Sequence, residues 1–569
     1  MIAIPAGRAP LSTQHILRTW WPLAASWLLM TAEMPLMSDF GMAAFVAGFL
    51  VQTIWLWQRS RPAIQAVQQR DGVSNYQLAI SNHQLSARLF TIHYFLWRPV
   101  MPQPNLLFLI TDQQRADTID PATPCQTPHI DRLAAAGARF SRCYAPNPIC
   151  SPTRASLMTG LLPHSHGMVD VTHAVPAYRA ELKAGLPFWS HNLQAAGYQT
   201  GYFGKWHIER TNRLENFGFD IYQVEQYQQL QGLVERDIQM GPVCRVRQKG
   251  YKDFLLYGVT DNPVETTPEY QLYTDGIDFL RRATHQPERP WALFLSTEAP
   301  HDPYLVPRPY YERYDPAGIP APASFADDLA DRPGIYRRIQ QVWRELTWPD
   351  FAQATACYYG LCSLIDDQIG RILAVLEELG QVENTIIVFT SDHGDYMGAH
   401  RLMLKGIPAF EEAYRVPLIL SGPGIPAGRQ IEQIVSLLDL APTLVELTTG
   451  DDFPGHGRSL LPLLQGSPSH WQPEALAECH GQRFYYTQRI LWRDNYKYVF
   501  NGFDSDELYD LVADPHELHN LAGDPAYRPA LESLAGRMWQ IIRESGDANM
   551  YEAQYGMFRF APVGPEPNF

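Results

Sequence analysis

The sequence predicts an α/β fold, with a large, mostly parallel sheet covered by helices and a smaller antiparallel C-terminal subdomain. Three observations lead to this prediction. From residue 104 onward, apolar runs of strand length alternate with longer helical stretches, which is the pattern of βαβ units. Near the C-terminus, RILWRDNYKYVFNG contains two closely spaced strand candidates. The first sixty residues differ from both regions and contain two long apolar runs, which predict an N-terminal helical hairpin.

The chain has 569 residues, enough for more than one domain and a large core. We expect four segments along it. They are an apolar helical hairpin over 1–60, a linker over 61–103, a main α/β domain over 104–470 and a C-terminal subdomain over 471–569.

The predicted hairpin has the composition of a membrane segment. Residues 20–37 are apolar apart from Glu33, and residues 40–57 contain no charge, which meets the lower length limit for a spanning helix. Arginines lie on both sides of the pair, so both ends are expected in the cytoplasm, together with the main domain. Two alternatives remain open: an export signal, which would place the main domain in the periplasm, and a buried helical pair.

The net charge and the cysteine spacing argue against two classes of protein, nucleic-acid-binding proteins and disulfide-stabilised proteins. The formal net charge of -15 argues against a nucleic-acid partner, which would need a basic face. The seven cysteines are irregularly spaced and include no CxxC pair, so we expect no obligatory disulfide framework. A bridge between Cys143 and Cys150 is left open as an alternative.

Four apolar runs have the length and composition of buried parallel strands. They are NLLFLIT (105–111), YQTGYF (198–203), WALFLST (291–297) and TIIVFTS (385–391). Between them, helices are predicted over 179–196 and 359–379, each ending before a glycine.

Polar residues follow each of these four strands. They are Asp112, Lys205, His207, His301, Asp392 and His393. Each could serve as an ordinary turn or capping residue. Open parallel sheets, however, bind ligands at the carboxyl ends of their strands. The recurrence at one end of successive strands therefore predicts that these side chains meet in one site.

This set of residues is suited to binding a divalent cation and an anion. Asp112, Asp392 and His393 offer donors for Ca²⁺, Mg²⁺ or Mn²⁺. Positive charge is expected from Arg154, Lys205 and Lys405. A site with a metal and several cations fits a tetrahedral oxyanion, so a sulfate, phosphate or phosphonate ester remains possible as substrate.

The stretch NPICSPTRASLMTG (147–160) adds a cysteine to the predicted site. Pro152 is expected near the start of a helix, where proline is favoured. A group at Cys150 would therefore lie at the positive end of the helix dipole. From the residues alone, Cys150 could be a buried filler, half of a disulfide or a nucleophile. Arg154 follows four residues later, which does not fit the six-residue spacing of a tyrosine phosphatase loop.

The segment from Cys150 to Arg154, CSPTR, resembles the C-x-P-x-R signature of the type I, formylglycine-dependent sulfatases of the alkaline phosphatase superfamily. Further resemblances are TDQQRAD, GYFGKWHI, APHDPY and SDHGDYMGAH. Together with later landmarks they cover about residues 104–525 in the order found in the family. The resemblance implies an alkaline-phosphatase-like sandwich and hydrolysis of a small sulfuric ester.

The resemblance also implies that Cys150 is oxidised to Cα-formylglycine. A separate formylglycine-generating enzyme would read C-x-P-x-R in the unfolded chain. The aldehyde would hydrate, one hydroxyl would attack sulfur and the other would then expel sulfate. By the same resemblance, Arg154 and His207 hold the hydrate and His207 is its base. Lys205 and Lys405 would bind sulfate oxygens.

Two further roles follow from the resemblance. His301 is expected to protonate the leaving alcohol. One divalent metal is expected, with Ca²⁺ first and Mn²⁺ or Mg²⁺ as alternatives. Its expected ligands are Asp112, Gln113, the residue at position 150, Asp392 and His393.

Gln113 departs from the pattern of many family members, which carry a second aspartate at this position. Its carbonyl oxygen could bind a hard cation. The Asp-Gln pair resembles the choline sulfatase and phosphonate monoester hydrolase branches. A phosphonate monoester or phosphodiester is therefore the alternative substrate.

Overall fold

The computed structural model describes residues 103–227, 229, 244–246, 254–502, 504–552 and 559–566. The predicted N-terminal hairpin and nearly all of the predicted linker lie outside these residues. Within the described ranges, no helix combines the length and the apolar character needed to cross a membrane.

The main sheet has eight strands in the order β11-β2-β10-β9-β1-β7-β3-β4. Their bounds are β1 (Asn105–Thr111), β2 (Gly137–Tyr144), β3 (Gln199–Gly204), β4 (Ile221–Gln223), β7 (Trp291–Ser296), β9 (Thr385–Ser391), β10 (Arg415–Ser421) and β11 (Arg429–Ser436). Strands β9, β1, β7, β3 and β4 run parallel, whereas β10 is antiparallel to both of its neighbours. The predicted α/β class and the mostly parallel sheet are confirmed.

Both faces of the sheet are covered, so the central strands β1, β7 and β9 are buried along their whole length. In β1, Leu107 and Leu109 contribute to one core and Phe108 contributes to the other, as the two-residue period of a strand requires. The helices are α1 (Pro128–Ala135), α2 (Cys150–Thr159), α3 (Pro163–His166), α4 (Trp189–Ala195), α5 (Pro268–Ala283), α6 (Arg308–Tyr311), α7 (Gly334–Gln340), α8 (Trp348–Glu378), α9 (Glu411–Tyr414), α10 (Leu440–Thr448), α11 (Leu461–Leu464), α12 (Arg528–Glu544) and α13 (Ala548–Tyr551). Helices α5 and α8 cover the first face, and α2, α4 and α10 cover the second.

The C-terminal region forms an antiparallel sheet of four strands in sequence order. They are β12 (Glu474–Cys479), β13 (Gln488–Arg493), β14 (Tyr496–Asn501) and β15 (Glu507–Asp510). Helix α12 packs on this sheet through a separate apolar core. The predicted strand pair in RILWRDNYKYVFNG is therefore confirmed. A third sheet contains β5 (Cys244–Val246), β6 (Phe254–Thr260) and β8 (Tyr304–Pro307).

Both predicted helices begin at a residue other than the predicted one, one later and one earlier. The helix predicted over 179–196 begins only at Trp189, because Pro187 lies just before it and disfavours helical backbone in its predecessor. The helix predicted over 359–379 begins earlier, at Trp348, where Thr347 and Asp350 form a capping box. Its predicted end before Gly380 is confirmed.

Candidate active site

The carboxyl ends of β1 and β9 bring two carboxylates together. The strands are paired in parallel, with Thr111 opposite Ser391, so Asp112 and Asp392 both emerge at one edge of the sheet. Strands β7 and β3 follow on the other side of β1. This order explains how residues more than 250 positions apart in sequence reach the same site.

Helix α2 begins at Cys150 and places this residue at its positive end. The preceding loop is fixed by the buried side chain of Asn147. Its Oδ1 accepts from the backbone N–H of Ile149 over 2.9 Å, and its Nδ2 donates to the carbonyl of Glu478 over 2.6 Å. Cys143 and Cys150 are both free thiols. The bridge between them that the sequence left open is therefore not formed.

Arg154, one turn further along α2, joins the two carboxylates. Its Nε donates to Asp392 over 2.7 Å and its Nη2 to Asp112 over 3.1 Å. Nη1 donates to the hydroxyl of Ser296 and to the carbonyl of Lys205. Burial lowers the pKa of Arg154, but the two carboxylates outweigh this effect and raise it. A permanent buried cation is thus fixed beside both aspartates.

Four buried side chains place donor atoms within 4.8 Å of one another. They are Asp112, Cys150, Asp392 and His393. Nδ1 of His393 faces the carbonyl of Gly394 over 2.9 Å, which assigns the proton to Nδ1 and leaves the Nε2 lone pair for a ligand. Nε2 lies 3.7 Å from a carboxylate oxygen of each aspartate. The oxygen and imidazole donors fit a hard divalent cation.

The Gln113 side chain contacts other partners. Its Oε1 accepts from Lys405 over 2.5 Å, and its Nε2 donates to Asp395 over 2.6 Å and to Asp302 over 3.2 Å. Its backbone N–H donates to Asp392. Gln113 therefore lies beside the donor cluster, and its amide holds the predicted sulfate-binding lysine.

The two lysines predicted for the site reach Asp112 from separate segments. Nζ of Lys205 lies 2.9 Å from Asp112 and 2.8 Å from Glu298, and Nζ of Lys405 lies 4.0 Å from Asp112. Burial opposes the charge of both ammonium groups, but the Asp112 carboxylate helps to raise both pKa values. Both lysines therefore remain cations.

The two remaining histidines contact different members of the cluster. His207 interacts with Cys150, and burial lowers its pKa. Its Nδ1 is buried without a hydrogen-bond partner among the described residues. His301 places Nε2 3.9 Å from Asp112. Burial lowers the pKa of His301, but the Asp302 and Asp112 carboxylates outweigh burial and nearby lysines and raise it to about 9.

The cations around Cys150 favour a negative charge at that position. Burial and the Asp112 carboxylate raise the pKa of the thiol, but nearby positive charge, to which Lys405 and Lys205 contribute most, outweighs them and holds it well below its usual value. Burial and Asp112 also raise the pKa of Asp392 to about 6. A group at position 150 therefore lies where an anion is stabilised.

Sequence reasoning did not identify three residues that position this site. Glu298 pairs with Lys205, Asp395 accepts from Gln113, and Ser296 accepts from Arg154. Ser296 and Glu298 lie at the end of β7, so the strand-end criterion could have found them. Asp395 lies three residues after Asp392, and no sequence pattern marked it as part of the site.

These features define a class of protein. A mostly parallel sheet with carboxylates, lysines and a helix N-terminus at its carboxyl edge is the arrangement of hydrolases of the alkaline phosphatase superfamily. The family model described as "Sulfatase" matches residues 104–450, and the model "N-sulphoglucosamine sulphohydrolase, C-terminal" matches residues 398–544. The chain belongs to the sulfatase family, whose members hydrolyse sulfuric esters.

Individual proteins show the same relationship. An uncharacterized sulfatase of Escherichia coli (strain K12), YidJ, is 31% identical over 74% of this chain and 84% of its own length. A choline-sulfatase of Rhizobium meliloti is 29% identical over 79% of this chain and 90% of its own. The solved structure of a phosphonate monoester hydrolase of Agrobacterium radiobacter has a TM-score of 0.66 at 25% identity, over 78% of this chain and 96% of that one.

Proposed function

We propose that the protein hydrolyses a sulfate ester with a formylglycine generated from Cys150 and one divalent cation. The observation that carries this proposal is the position of Cys150 at the start of α2, within the donor cluster of Asp112, Asp392 and His393. A thiol is a soft ligand among hard donors. Replacing its sulfur by an oxygen function would leave three oxygen donors and one imidazole, a set suited to Ca²⁺, with Mn²⁺ or Mg²⁺ as alternatives.

The chain's own residues provide the remaining functions. When present, the hydrated formylglycine supplies an oxygen nucleophile and the cation supplies Lewis acidity. Lys205 and Lys405 bind the negative oxygens of the ester, because both stay charged in a buried site. Arg154 holds the two aspartates in place. His301 retains a proton near neutral pH and donates it to the departing alcohol oxygen, whereas neutral His207 accepts a proton at position 150.

The decisive experiment measures the mass of the peptide that contains Cys150. The full chain is produced with and without a co-expressed formylglycine-generating enzyme. Formylglycine is about 18 Da lighter than cysteine, because an aldehyde oxygen replaces the thiol and a hydrogen. Turnover of 4-nitrophenyl sulfate should increase in proportion to the modified fraction. Substantial turnover with entirely unmodified Cys150 would contradict the proposal.

A pair of variants supports the mass measurement. Cys150→Ala should abolish turnover and leave the fold intact. Cys143→Ala is the matched control, since Cys143 is also a buried free thiol but is not one of the four donors. Activity of Cys150→Ala within about tenfold of the wild type would refute formylglycine catalysis.

A second candidate function is hydrolysis of phosphonate monoesters or phosphodiesters at the same site. It is favoured by the similarity to two phosphonate monoester hydrolases, from Agrobacterium radiobacter and Silicibacter pomeroyi, with TM-scores of 0.66 and 0.67. The ratio of kcat/KM for an aryl sulfate and the matched aryl phosphonate separates the two functions. A ratio at or below one would favour the second.

The cellular location is a separate proposal. We propose that the N-terminal hairpin holds the protein at the membrane with the catalytic domain in the cytoplasm. A reporter fused after residue 103 tests this, and reporter activity on the periplasmic side would favour the export alternative.

A further inference from the structure

Lys205, one of the two lysines that bind the ester oxygens in the proposed function, has two carboxylate partners. Its Nζ lies 2.9 Å from Asp112 and 2.8 Å from Glu298. Asp112 belongs to the donor cluster around Cys150, whereas Glu298 is not one of its four members. Glu298 therefore adds a negative charge beside the ester-binding lysine that the donor cluster does not use.

Glu298 lies on the open side of Lys205. The Asp112 side chain is fully buried, the Lys205 side chain is 6% exposed and that of Glu298 is 34% exposed. The backbone carbonyl of Glu298 accepts the N–H of His301 over 3.1 Å, so both residues belong to one turn after β7. The Glu298 carboxylate also interacts electrostatically with His301 and His207. Its charge thus lies among the groups that surround the ester in the proposed function.

The Glu298 carboxyl group is ionised at neutral pH. Burial raises its pKa, but Lys205 and His301 outweigh burial and the Asp112 carboxylate and hold the pKa below its ordinary value. Because the neighbouring side chains are buried, charges interact more strongly here than they do in water. An anion bound by Lys205 is therefore repelled by the Glu298 carboxylate.

The two ester-binding lysines differ in the group that holds them. Lys405 donates to a neutral group, the side-chain oxygen of Gln113, over 2.5 Å. An amide oxygen accepts a hydrogen bond from an ammonium group as a carboxylate does, but it adds no charge. Holding Lys205 in place therefore does not require a carboxylate at position 298. The particular effect of the carboxylate is to reduce the positive charge that the site presents to an ester.

We propose that Glu298 determines the charge of the ester that the site accepts, by favouring monoanionic sulfate esters over dianionic phosphate monoesters. The inference rests on the proposed function and adds to it a residue that selects the substrate by charge. A sulfate ester carries one negative charge, whereas a phosphate monoester carries close to two at pH 8. Repulsion from Glu298 is thus about twice as large for the phosphate ester. Phosphonate monoesters and phosphodiesters are also monoanions, so the same preference applies to the second candidate function.

The test compares 4-nitrophenyl sulfate with 4-nitrophenyl phosphate, which share a leaving group and a tetrahedral shape. Glu298→Gln preserves the size of the side chain and an acceptor for Lys205 but removes the charge. It should lower the ratio of kcat/KM for the sulfate ester to that for the phosphate ester about tenfold at pH 8. An equal change for both esters would show that Glu298 only positions Lys205, and it would overturn the proposal.

Two further variants separate the charge of Glu298 from its other properties. Glu298→Asp retains the carboxylate and should keep the ratio within about threefold of the wild-type value. Glu378→Gln is the matched control, since Glu378 also pairs with a cation, Arg281, at 2.8 Å. Glu378 ends α8 shortly before β9 begins, at the opposite edge of the sheet, so the ratio should not change. A tenfold decrease in either of these variants would refute a specific role of the charge at position 298.

A binding measurement separates this inference from the proposed function. The full-length Cys150→Ala protein, with and without Glu298→Gln, is titrated with phenyl sulfate and phenyl phosphate by calorimetry at pH 8 in the presence of Ca²⁺. Glu298→Gln should increase the affinity for phenyl phosphate about tenfold more than that for phenyl sulfate. This result would support the inference even if the wild type hydrolyses no sulfate ester. An equal change in both affinities would exclude it even if the enzyme is an active sulfatase.

Discussion

The ammonium group of Lys405 donates a hydrogen bond of 2.5 Å to the side-chain oxygen of Gln113. The amide nitrogen of Gln113 donates in turn to Asp395 and Asp302. The amide is therefore held between a cation and two carboxylates. A neutral group with one acceptor end and one donor end satisfies this environment, whereas a carboxylate would have no donor for the two aspartates.

Replacing this amide by a carboxylate should weaken the fold without improving metal binding. Gln113→Glu places a negative charge against Asp395 and removes a buried donor, so we expect the free energy of unfolding to fall by about 1–3 kcal/mol. Chemical denaturation measures this loss, and Ca²⁺ titration should show no gain in affinity. Gln194→Glu is the control, since Gln194 also donates to an aspartate, Asp220, but at an exposed position. Tighter Ca²⁺ binding by Gln113→Glu would instead indicate that the oxygen at position 113 is a metal ligand.

Removal of the proposed cation should abolish activity and lower stability. Dialysis against EDTA should reduce turnover of 4-nitrophenyl sulfate at least about 100-fold, because the donor set would lose the charge that it is arranged to bind. The thermal midpoint should also fall, because a cation that binds the folded state stabilises it and this contribution would be lost. Addition of Ca²⁺ should restore both quantities.

A variant pair locates this effect at the cluster. Asp392→Asn should weaken Ca²⁺ binding by about tenfold or more, whereas Asp367→Asn, at a half-exposed ion pair with Arg313, should not change it. Full activity after exhaustive chelation would show that the site functions without a dissociable cation.

The decrease in kcat on removal of the proposed general acid, His301, should depend on the leaving group. His301→Gln should reduce kcat about 100-fold for an alkyl sulfate, whose alcohol must be protonated as it departs. For 4-nitrophenyl sulfate the loss should be below about tenfold, because nitrophenolate is a stable anion. Steady-state kinetics with a series of leaving groups measures the difference, with His191→Gln, an exposed histidine, as the control. The same loss across the whole series would exclude a proton transfer by His301.

The site residues at the strand ends could be predicted from sequence, because their positions depend only on the local apolar pattern and on strand direction. Asp112 and Asp392 follow uninterrupted apolar runs, so their convergence needed only the polarity of a parallel sheet. The environment of Gln113 was not predictable, since its partners Asp302 and Asp395 lie 189 and 282 positions away. The predicted start of the helix at residue 179 was too early, because the boundary set by Pro187 was not recognised.

The stability of the protein should fall as pH rises from about 4 to 7 because of Asp366. This carboxylate accepts the N–H groups of His129 and Ile130 at the start of α1, and burial raises its pKa to about 7. The unfolded value is about 3.9. Between these values the folded state binds more protons than the unfolded state, so deprotonation favours unfolding.

Calorimetry at pH 5 and pH 8 tests this linkage. In Asp366→Asn the decrease in the thermal midpoint between the two pH values should be smaller than in the wild type. Asp367→Asn, the neighbouring residue, should retain the wild-type decrease. An unchanged slope in Asp366→Asn would show that this carboxyl does not titrate in that interval.

The contact between Asn147 and Glu478 joins residues that are 331 positions apart. A ribosome that adds about 5–20 residues per second makes Glu478 roughly 17–66 s after Asn147. During that interval the loop before Cys150 lacks its anchor on β12. The final conformation of the loop that holds Cys150 therefore depends on a strand made much later, and the oxidation that we propose would have to precede that contact if the modifying enzyme reads the unfolded chain.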